Sequence, residues 1–141
     1  MSLKAAAIEA GIGYRTAARW VHDGLIQPIG YRGKRGVEIP CGEKEKREFK
    51  NIKNLRAAGI PLKVLRKVAP RLRKTESNPF LGGTLVVVGN LAAEPLIIKA
   101  KSTHEVLKIL NENRGQIAIV VPLEERPETA EHATDKGDVK P

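Results

Sequence analysis

A nine-residue segment near the start of the chain carries two arginines and a histidine at helical spacing. In a helix over residues 14–22, Arg15, Arg19 and His22 share one face, because they stand at positions i, i+4 and i+7. The opposite face carries Tyr14, Ala17, Trp20 and Val21. The planar guanidinium of arginine can bind a phosphate, or the O6/N7 edge of guanine, through two hydrogen bonds. Burial of the apolar face therefore predicts that this helix presents its basic face to a nucleic acid.

Two further basic segments follow this helix. Alternating apolar residues around a glycine-rich tip predict a hairpin from Ile29 to Ile39, whose residues 31–39 would form a basic wing. The tip carries Arg32, Lys34 and Arg35. A helix over residues 43–58 comes next, with Phe49, Ile52 and Leu55 on its buried face and Lys46, Lys50 and Lys53 among its exposed positions. Three basic elements in the order helix, wing, helix favour a polyanionic partner.

The charge of the chain is concentrated in its first half. Residues 1–80 hold 18 Lys and Arg against 7 Asp and Glu, a net charge of +11. Residues 81–141 hold 7 against 9, a net charge of −2, which gives the formal +9 of the whole chain. A strongly positive field confined to one region is typical of proteins that bind nucleic acids.

Other chemistry finds little support in the sequence. The three histidines, His22, His104 and His132, are scattered, and the single cysteine, Cys41, excludes an internal disulfide. Cys41 precedes a helix N-terminus, where a thiolate would be mildly favoured. We expect no enzymatic activity, cofactor or metal, and no small-molecule effector is evident. Residues 1–10 lack a signal-peptide pattern and no apolar run approaches about 18 residues, so we expect a cytoplasmic protein with no membrane partner.

The elements that position these residues in the first half are four helices. The first, over residues 3–10, has Ser2 as its N-cap and Gly11 just past its end, and the turn Gly11-Ile12-Gly13 joins it to helix 14–22. A fourth helix begins near Pro61 and carries Leu62, Leu65, Val68 and Leu72 on one side. Pro70 is predicted to kink or end it, and residues 75–79 to form a linker. A short helix, a tight turn and a basic helix predict a helix-turn-helix.

The second half predicts a small ββαβ unit. Residues 84–88, 96–98 and 116–121 are strand candidates, and Ser102 with Glu105 forms a capping box for a helix over 103–113. We therefore predict an α+β fold with a winged helix-turn-helix domain at 1–74, a ββαβ domain at 80–123 and a disordered tail at 124–141. The ββαβ domain would either pair with another copy or a partner through a sheet edge, or form a self-contained lobe.

Residues 3–72 resemble the N-terminal domain of MerR-family transcription regulators. The resemblance rests on Gly11-Ile12, Thr16, Trp20, Gly24-Leu25-Ile26, Pro28, the helix Phe49–Ala58, Gly59-Ile60-Pro61-Leu62, Leu65 and Val68. It implies a bacterial-type regulator with a winged helix-turn-helix that binds double-stranded DNA. The chain departs from the family at Ala18, where an arginine is usual and Arg19 follows one place later, and at Val37-Glu38-Ile39-Pro40, which replaces the usual end of the wing. It also lacks the heptad run of the family's dimerising coiled coil.

The sequence therefore predicts a sequence-specific regulator that places helix 14–22 in the major groove and the wing on flanking phosphates. The residues predicted to contact DNA are Tyr14, Arg15, Thr16, Ala18, Arg19, His22, Arg32, Lys34, Arg35, Lys50 and Lys53. Two alternatives stay open. One is an architectural DNA-binding role, as in excisionases or plasmid and phage maintenance proteins. The other is a protein-interaction adaptor that works through the C-terminal unit.

Overall fold

A computed structural model describes residues 1–28 and 39–124 of the chain. Within these ranges the fold is α+β, as predicted, with five helices and one three-stranded antiparallel sheet. The elements are α1 Leu3–Ala10, α2 Tyr14–His22, α3 Glu43–Ala57, α4 Leu62–Leu72, β1 Thr84–Val88, β2 Leu96–Ala100, α5 Thr103–Glu112 and β3 Ala118–Pro122. Almost all of the predicted hairpin, and the tail beyond residue 124, lie outside the described residues.

The chain divides into two compact units. Of the described residues, 1–28, 39–53 and Glu124 belong to the first unit, and 54–123 to the second. The boundary falls inside α3, whereas the sequence pattern placed a change of composition near residue 80. The functional domains 1–74 and 80–123 stay a prediction.

The first unit opens with α1 and α2, joined by the predicted tight turn. Ser2 caps α1, since its Oγ accepts a hydrogen bond from the Ala5 N–H at 3.1 Å. Gly11 ends α1 in the left-handed conformation, with φ +79°, and its N–H bonds to the carbonyl of Ile8. The Lys53 Nζ lies close to Gly11, 2.7 Å from where a Cβ would stand, but this flexible side chain could move away, so it is the positive φ that favours glycine here.

The N-terminus and the chain beyond the predicted wing are bound to each other. The Met1 ammonium donates to the Cys41 carbonyl at 2.8 Å, and the Cys41 N–H donates to the Met1 carbonyl at 3.1 Å. Ser2 and Pro40 form an antiparallel bridge. These bonds fix residues 39–41 beside the start of α1, so the chain that returns from the predicted wing is held in the first unit.

The sheet of the second unit has the order β2-β1-β3, with β1 antiparallel to both neighbours. Side chains alternate between its faces. Val86 and Val88 of β1 pack with Ile109 of α5 and with Ala100 of β2 in one buried cluster. The Ser102 Oγ accepts from the Glu105 N–H at 3.2 Å, which confirms the predicted cap of α5. The Glu105 carboxylate bonds to the N–H of Lys101, the residue before the cap.

The predicted linker at 75–79 is bound to the sheet by one lysine. The Lys99 Nζ of β2 donates to the Glu76 carboxylate and to the Pro79 carbonyl, both at 2.8 Å. Phe80, just beyond, is fully buried. This segment is therefore part of the packed second unit.

Pro70 was predicted to kink or end α4; the helix continues past it to Leu72, so Pro70 does not end it. Proline lacks a backbone N–H, but Pro70 stands in the last turn and the Arg73 N–H still donates to the Ala69 carbonyl at 3.0 Å. Leu65 and Val68 are buried as predicted, whereas Leu62 and Leu72 are half-buried.

Candidate nucleic-acid interface

The face of α2 is set by what the helix buries. Ala17, Trp20 and Val21 are buried, and the Trp20 ring packs against Phe49 of α3 with ring centroids 6.3 Å apart. The opposite face is exposed and carries Arg15, Thr16, Arg19 and His22. This is the orientation that the helical periodicity predicts. In residues 1–28 and 39–124, the side chains of Arg15, Arg19 and His22 form no hydrogen bond or ion pair.

Two predicted positions of α2 differ from this pattern. Tyr14 was expected on the buried face with Trp20, but its side chain is 52% exposed. Side chains of a helix tilt toward its N-terminus, and Tyr14 is the first residue of α2, so no preceding turn of this helix can cover it. Ala18 is half-buried and offers only a methyl group.

The N-terminus of α2 has free capacity for an anion. Gly13 is its N-cap and provides no side-chain hydrogen bond, and the first turn contains no acidic residue. The first backbone N–H groups of a helix lack partners within the helix, and the helix dipole adds partial positive charge there. This end of α2 therefore suits contact with a phosphate.

Lys53 and Lys50 of α3 were predicted to contribute to the same surface. Lys53 is exposed, and its Nζ lies against Gly11, in the turn that leads to α2. Lys50 is half-buried. Lys53 thus adds a positive charge close to the turn between α1 and α2, whereas the ammonium of Lys50 is less accessible to a ligand.

Most other cations of α3 are paired with acids in the first unit, which corrects the prediction for Lys46. The Lys46 Nζ lies 2.8 Å from the Glu43 carboxylate and 3.2 Å from that of Glu9, and its side chain is only 18% exposed. The other ion pairs are Lys44 with Glu45 at 3.2 Å, Lys44 with Glu48 at 2.9 Å and Arg47 with Glu124 at 2.7 Å. The basic face predicted for this helix is therefore partly neutralised.

The predicted wing residues Arg32, Lys34 and Arg35 lie outside the described residues. The residues on either side of this segment are described. Pro28 is buried before the segment, and Pro40 pairs with Ser2 after it. Both flanks of residues 29–38 therefore belong to the first unit.

Cys41 is a buried thiol, contrary to the expectation that its position favours a thiolate. Burial, and next the nearby Glu45 carboxylate, raise the pKa of the Cys41 thiol to about 11, although the N-terminal ammonium and Lys44 act to lower it. The predicted effect of the helix N-terminus is outweighed by this desolvation. At neutral pH the thiol is protonated.

In residues 1–28 and 39–124, no three His, Cys, Asp or Glu side chains are grouped so that they could hold a metal ion. None of the helices described there is long and apolar enough to cross a membrane.

A row of cations along α4 lies outside the predicted site. Lys63, Lys67 and Arg71 stand at four-residue intervals and border a cleft within the second unit. The same periodicity that groups Arg15 with Arg19 groups these three residues, so the signal was present in the sequence. The sequence did not predict that the segment between β1 and β2 would line the other side of this cleft.

Neither the family models nor the curated proteins that were searched include a match to this chain. The resemblance to the MerR family therefore stays a prediction from the residues quoted above.

Proposed function

We propose that this chain is a sequence-specific, double-stranded DNA-binding regulator of the winged helix-turn-helix type, similar to the MerR family. The observation that carries the proposal is the exposed face of α2, where Arg15, Arg19 and His22 form no bond within the described residues. On α3, by contrast, Lys44, Lys46 and Arg47 are paired with acids in the first unit. Because α2 buries Trp20, its opposite face is exposed to solvent. The two arginines on that face can therefore bind an external acceptor.

The dimensions and chemistry of α2 suit the major groove. An α-helix with its side chains is about 10–12 Å in diameter, and the major groove is about 12 Å wide and admits it. Arg19 would read a guanine edge through two hydrogen bonds, and Thr16 or His22 would contact a neighbouring base. These contacts would provide the sequence specificity.

Contacts to phosphates would fix the orientation of the helix in the groove. The open N-terminus of α2 and the ammonium of Lys53 provide such groups in the first unit. We assign Arg32, Lys34 and Arg35 to flanking phosphates on the sequence pattern alone. Phosphate contacts of this kind add affinity for any sequence and make binding depend on salt.

The test is selection of host genomic DNA fragments by the purified full chain at near-physiological salt, followed by sequencing. Enrichment of a few short sites supports a sequence-specific regulator, and inverted repeats among them indicate a two-fold dimer. Retention of fragments that share no sequence contradicts specific recognition and favours the architectural alternative. Failure to retain any fragment contradicts DNA binding and favours the adaptor alternative.

We further propose that residues 80–123 mediate self-association. Among the described residues, β2 and β3 pair only with β1, so each leaves an edge that another strand can join. Ile117, which precedes β3, is 78% exposed, and Val120 within β3 is also exposed. A mass measurement in solution that gives a dimer supports this assignment. A strict monomer at high concentration contradicts it.

A further inference from the structure

The second unit contains a cleft between α4 and the segment that joins β1 to β2. Its volume is about 260 Å³. The apolar part of its lining includes Val64 and Val68 of α4, Leu91 of the joining segment and Ile97 of β2. This volume is just below the range of about 300–1,000 Å³ that is usual for small-molecule sites, so the cleft suits a small ligand.

The charged part of the lining is mostly basic. Lys63, Lys67 and Arg71 extend along α4, and Glu94 faces them from the joining segment. The Lys67 Nζ lies 2.6 Å from the Glu94 carboxylate. The lining thus carries three cations and one anion, which leaves a net charge of +2 next to an apolar surface. This complementarity favours a ligand with an apolar body and a negative charge.

We propose that this cleft binds a small amphipathic carboxylate, with its apolar body against Val64, Val68 and Ile97 and its carboxylate between Lys67 and Arg71. The ligand carboxylate takes the place that Glu94 occupies beside Lys67. This site is separate from the DNA-contacting residues proposed above and does not depend on them.

The pair of Lys67 and Glu94 is suited to such an exchange. Their side chains are 58% and 75% exposed, so solvent screens their attraction and the pair is weak. The nearby Lys67, and to a smaller extent Arg71, lower the pKa of the Glu94 carboxyl, because both cations favour its charged form. A ligand carboxylate also buries the apolar body that it carries against the cleft. The Glu94 side chain makes no such apolar contribution, so the ligand has this additional stabilisation.

The experiment is titration of the full chain with octanoate, and separately with 1-octanol as a neutral molecule of similar length, by isothermal calorimetry. We expect saturable binding of octanoate that is about tenfold tighter than that of 1-octanol, because a hydrogen-bonded charge is lost in the alcohol. Equal affinity for the two compounds, or no saturable binding of octanoate, overturns the proposal.

Three variants locate the site. Arg71→Gln should weaken octanoate binding about tenfold, since it removes one charged partner of the carboxylate. Glu94→Gln should strengthen binding, because it removes the competing anion, and a folding defect would have the opposite effect. Lys108→Gln, at an exposed position of α5, is the matched control and should leave binding unchanged.

The variant results separate this site from general attraction of an anion to a basic protein. If Lys108→Gln weakens octanoate binding as much as Arg71→Gln, the cleft is not the site. A Glu94→Gln variant that binds octanoate more weakly contradicts the exchange of carboxylates. Selection of DNA fragments by the same variants is independent of these outcomes, so failure of one proposal does not imply failure of the other.

Discussion

Helices α2 and α3 carry similar basic side chains, but in the first unit these have different surroundings. On α2, Arg15 and Arg19 are exposed and form no ion pair within the described residues. On α3, Lys46 is paired with Glu43 and Glu9, and Arg47 with Glu124. The difference comes from the acids: α2 contains none, whereas α3 begins with several and also meets Glu9 of α1 and Glu124. A count of basic residues therefore overstates the charge that a helix offers to a ligand.

The two helix N-termini differ in the same way. Gly13 leaves the first turn of α2 without a side-chain cap. At α3, the Glu45 carboxylate accepts the Gly42 N–H at 2.7 Å, as the glutamate of a capping box does. The N-terminus of α3 thus has one donor bonded to a carboxylate and two acids in its first turn, whereas that of α2 has no side-chain cap and no acid. Four predictions test this comparison.

The largest expected effect comes from the contact that joins the two helices. Trp20→Ala removes a buried ring that packs on Phe49, and we expect a loss of about 3–5 kcal/mol in the free energy of unfolding. Chemical denaturation followed by circular dichroism measures it. Tyr14→Ala is the control on the same helix, since this ring is half exposed. If both variants lose similar stability, the assignment of buried and exposed faces of α2 is wrong.

The next effect is on DNA recognition. Arg19→Ala should lose about 1–3 kcal/mol of discrimination between the selected site and unrelated DNA, because a two-bonded contact to a base is removed. Fluorescence anisotropy with both DNAs at fixed salt measures the ratio. Arg114→Ala, at an exposed position beyond α5, serves as the control. A uniform loss on both DNAs would instead assign Arg19 to a phosphate.

A smaller effect is expected at the N-terminus of α3. Glu45→Ala removes the bond to the Gly42 N–H and the ion pair with Lys44, and should cost about 1–2 kcal/mol of stability at neutral pH. Burial raises the pKa of the Glu45 carboxyl, but the Gly42 N–H and Lys44 together bring it below its usual value of 4.5.

The sign of the pH dependence follows from this lowered pKa. The stabilisation by Glu45 is fully present above pH 4.5 and is lost as the pH falls through the lower pKa of the folded state. The difference in unfolding free energy between the native chain and Glu45→Ala should therefore shrink below pH 4.5. A difference that grows on acidification would contradict the lowered pKa.

The smallest effect is expected for Lys46→Ala. Because Glu43 and Glu9 already offset this charge, DNA affinity and its dependence on salt should change much less than for Arg15→Ala. Titrations at several salt concentrations measure the slope, to which each phosphate contact contributes about 0.9. If Lys46→Ala lowers the slope as much as Arg15→Ala, the neutralisation of α3 does not hold in the complex.

Local sequence signals were sufficient for the helices and strands of the described residues. Ser2 and Gly11 mark the two ends of α1, and Ser102 caps α5. The periodicity of α2 identifies which of its residues are exposed. These features depend on bonds between residues a few positions apart, so they can be read from the order of residues. Trp20 was predicted to be buried for the same reason, because its helix has only one apolar face.

Contacts between residues distant in sequence were decided by the tertiary structure. The ion pair of Lys46 with Glu9 joins residues on α3 and α1, and Lys99 binds the predicted linker from β2. The pKa of Cys41 depends on burial, which no local pattern provides. Sequence alone determined where charge is placed along the chain and which helix faces it occupies. Only the packed structure determined which of those charges meet an acid and which stay accessible, because the energy of a charge depends on its spatial neighbours and its exposure to water.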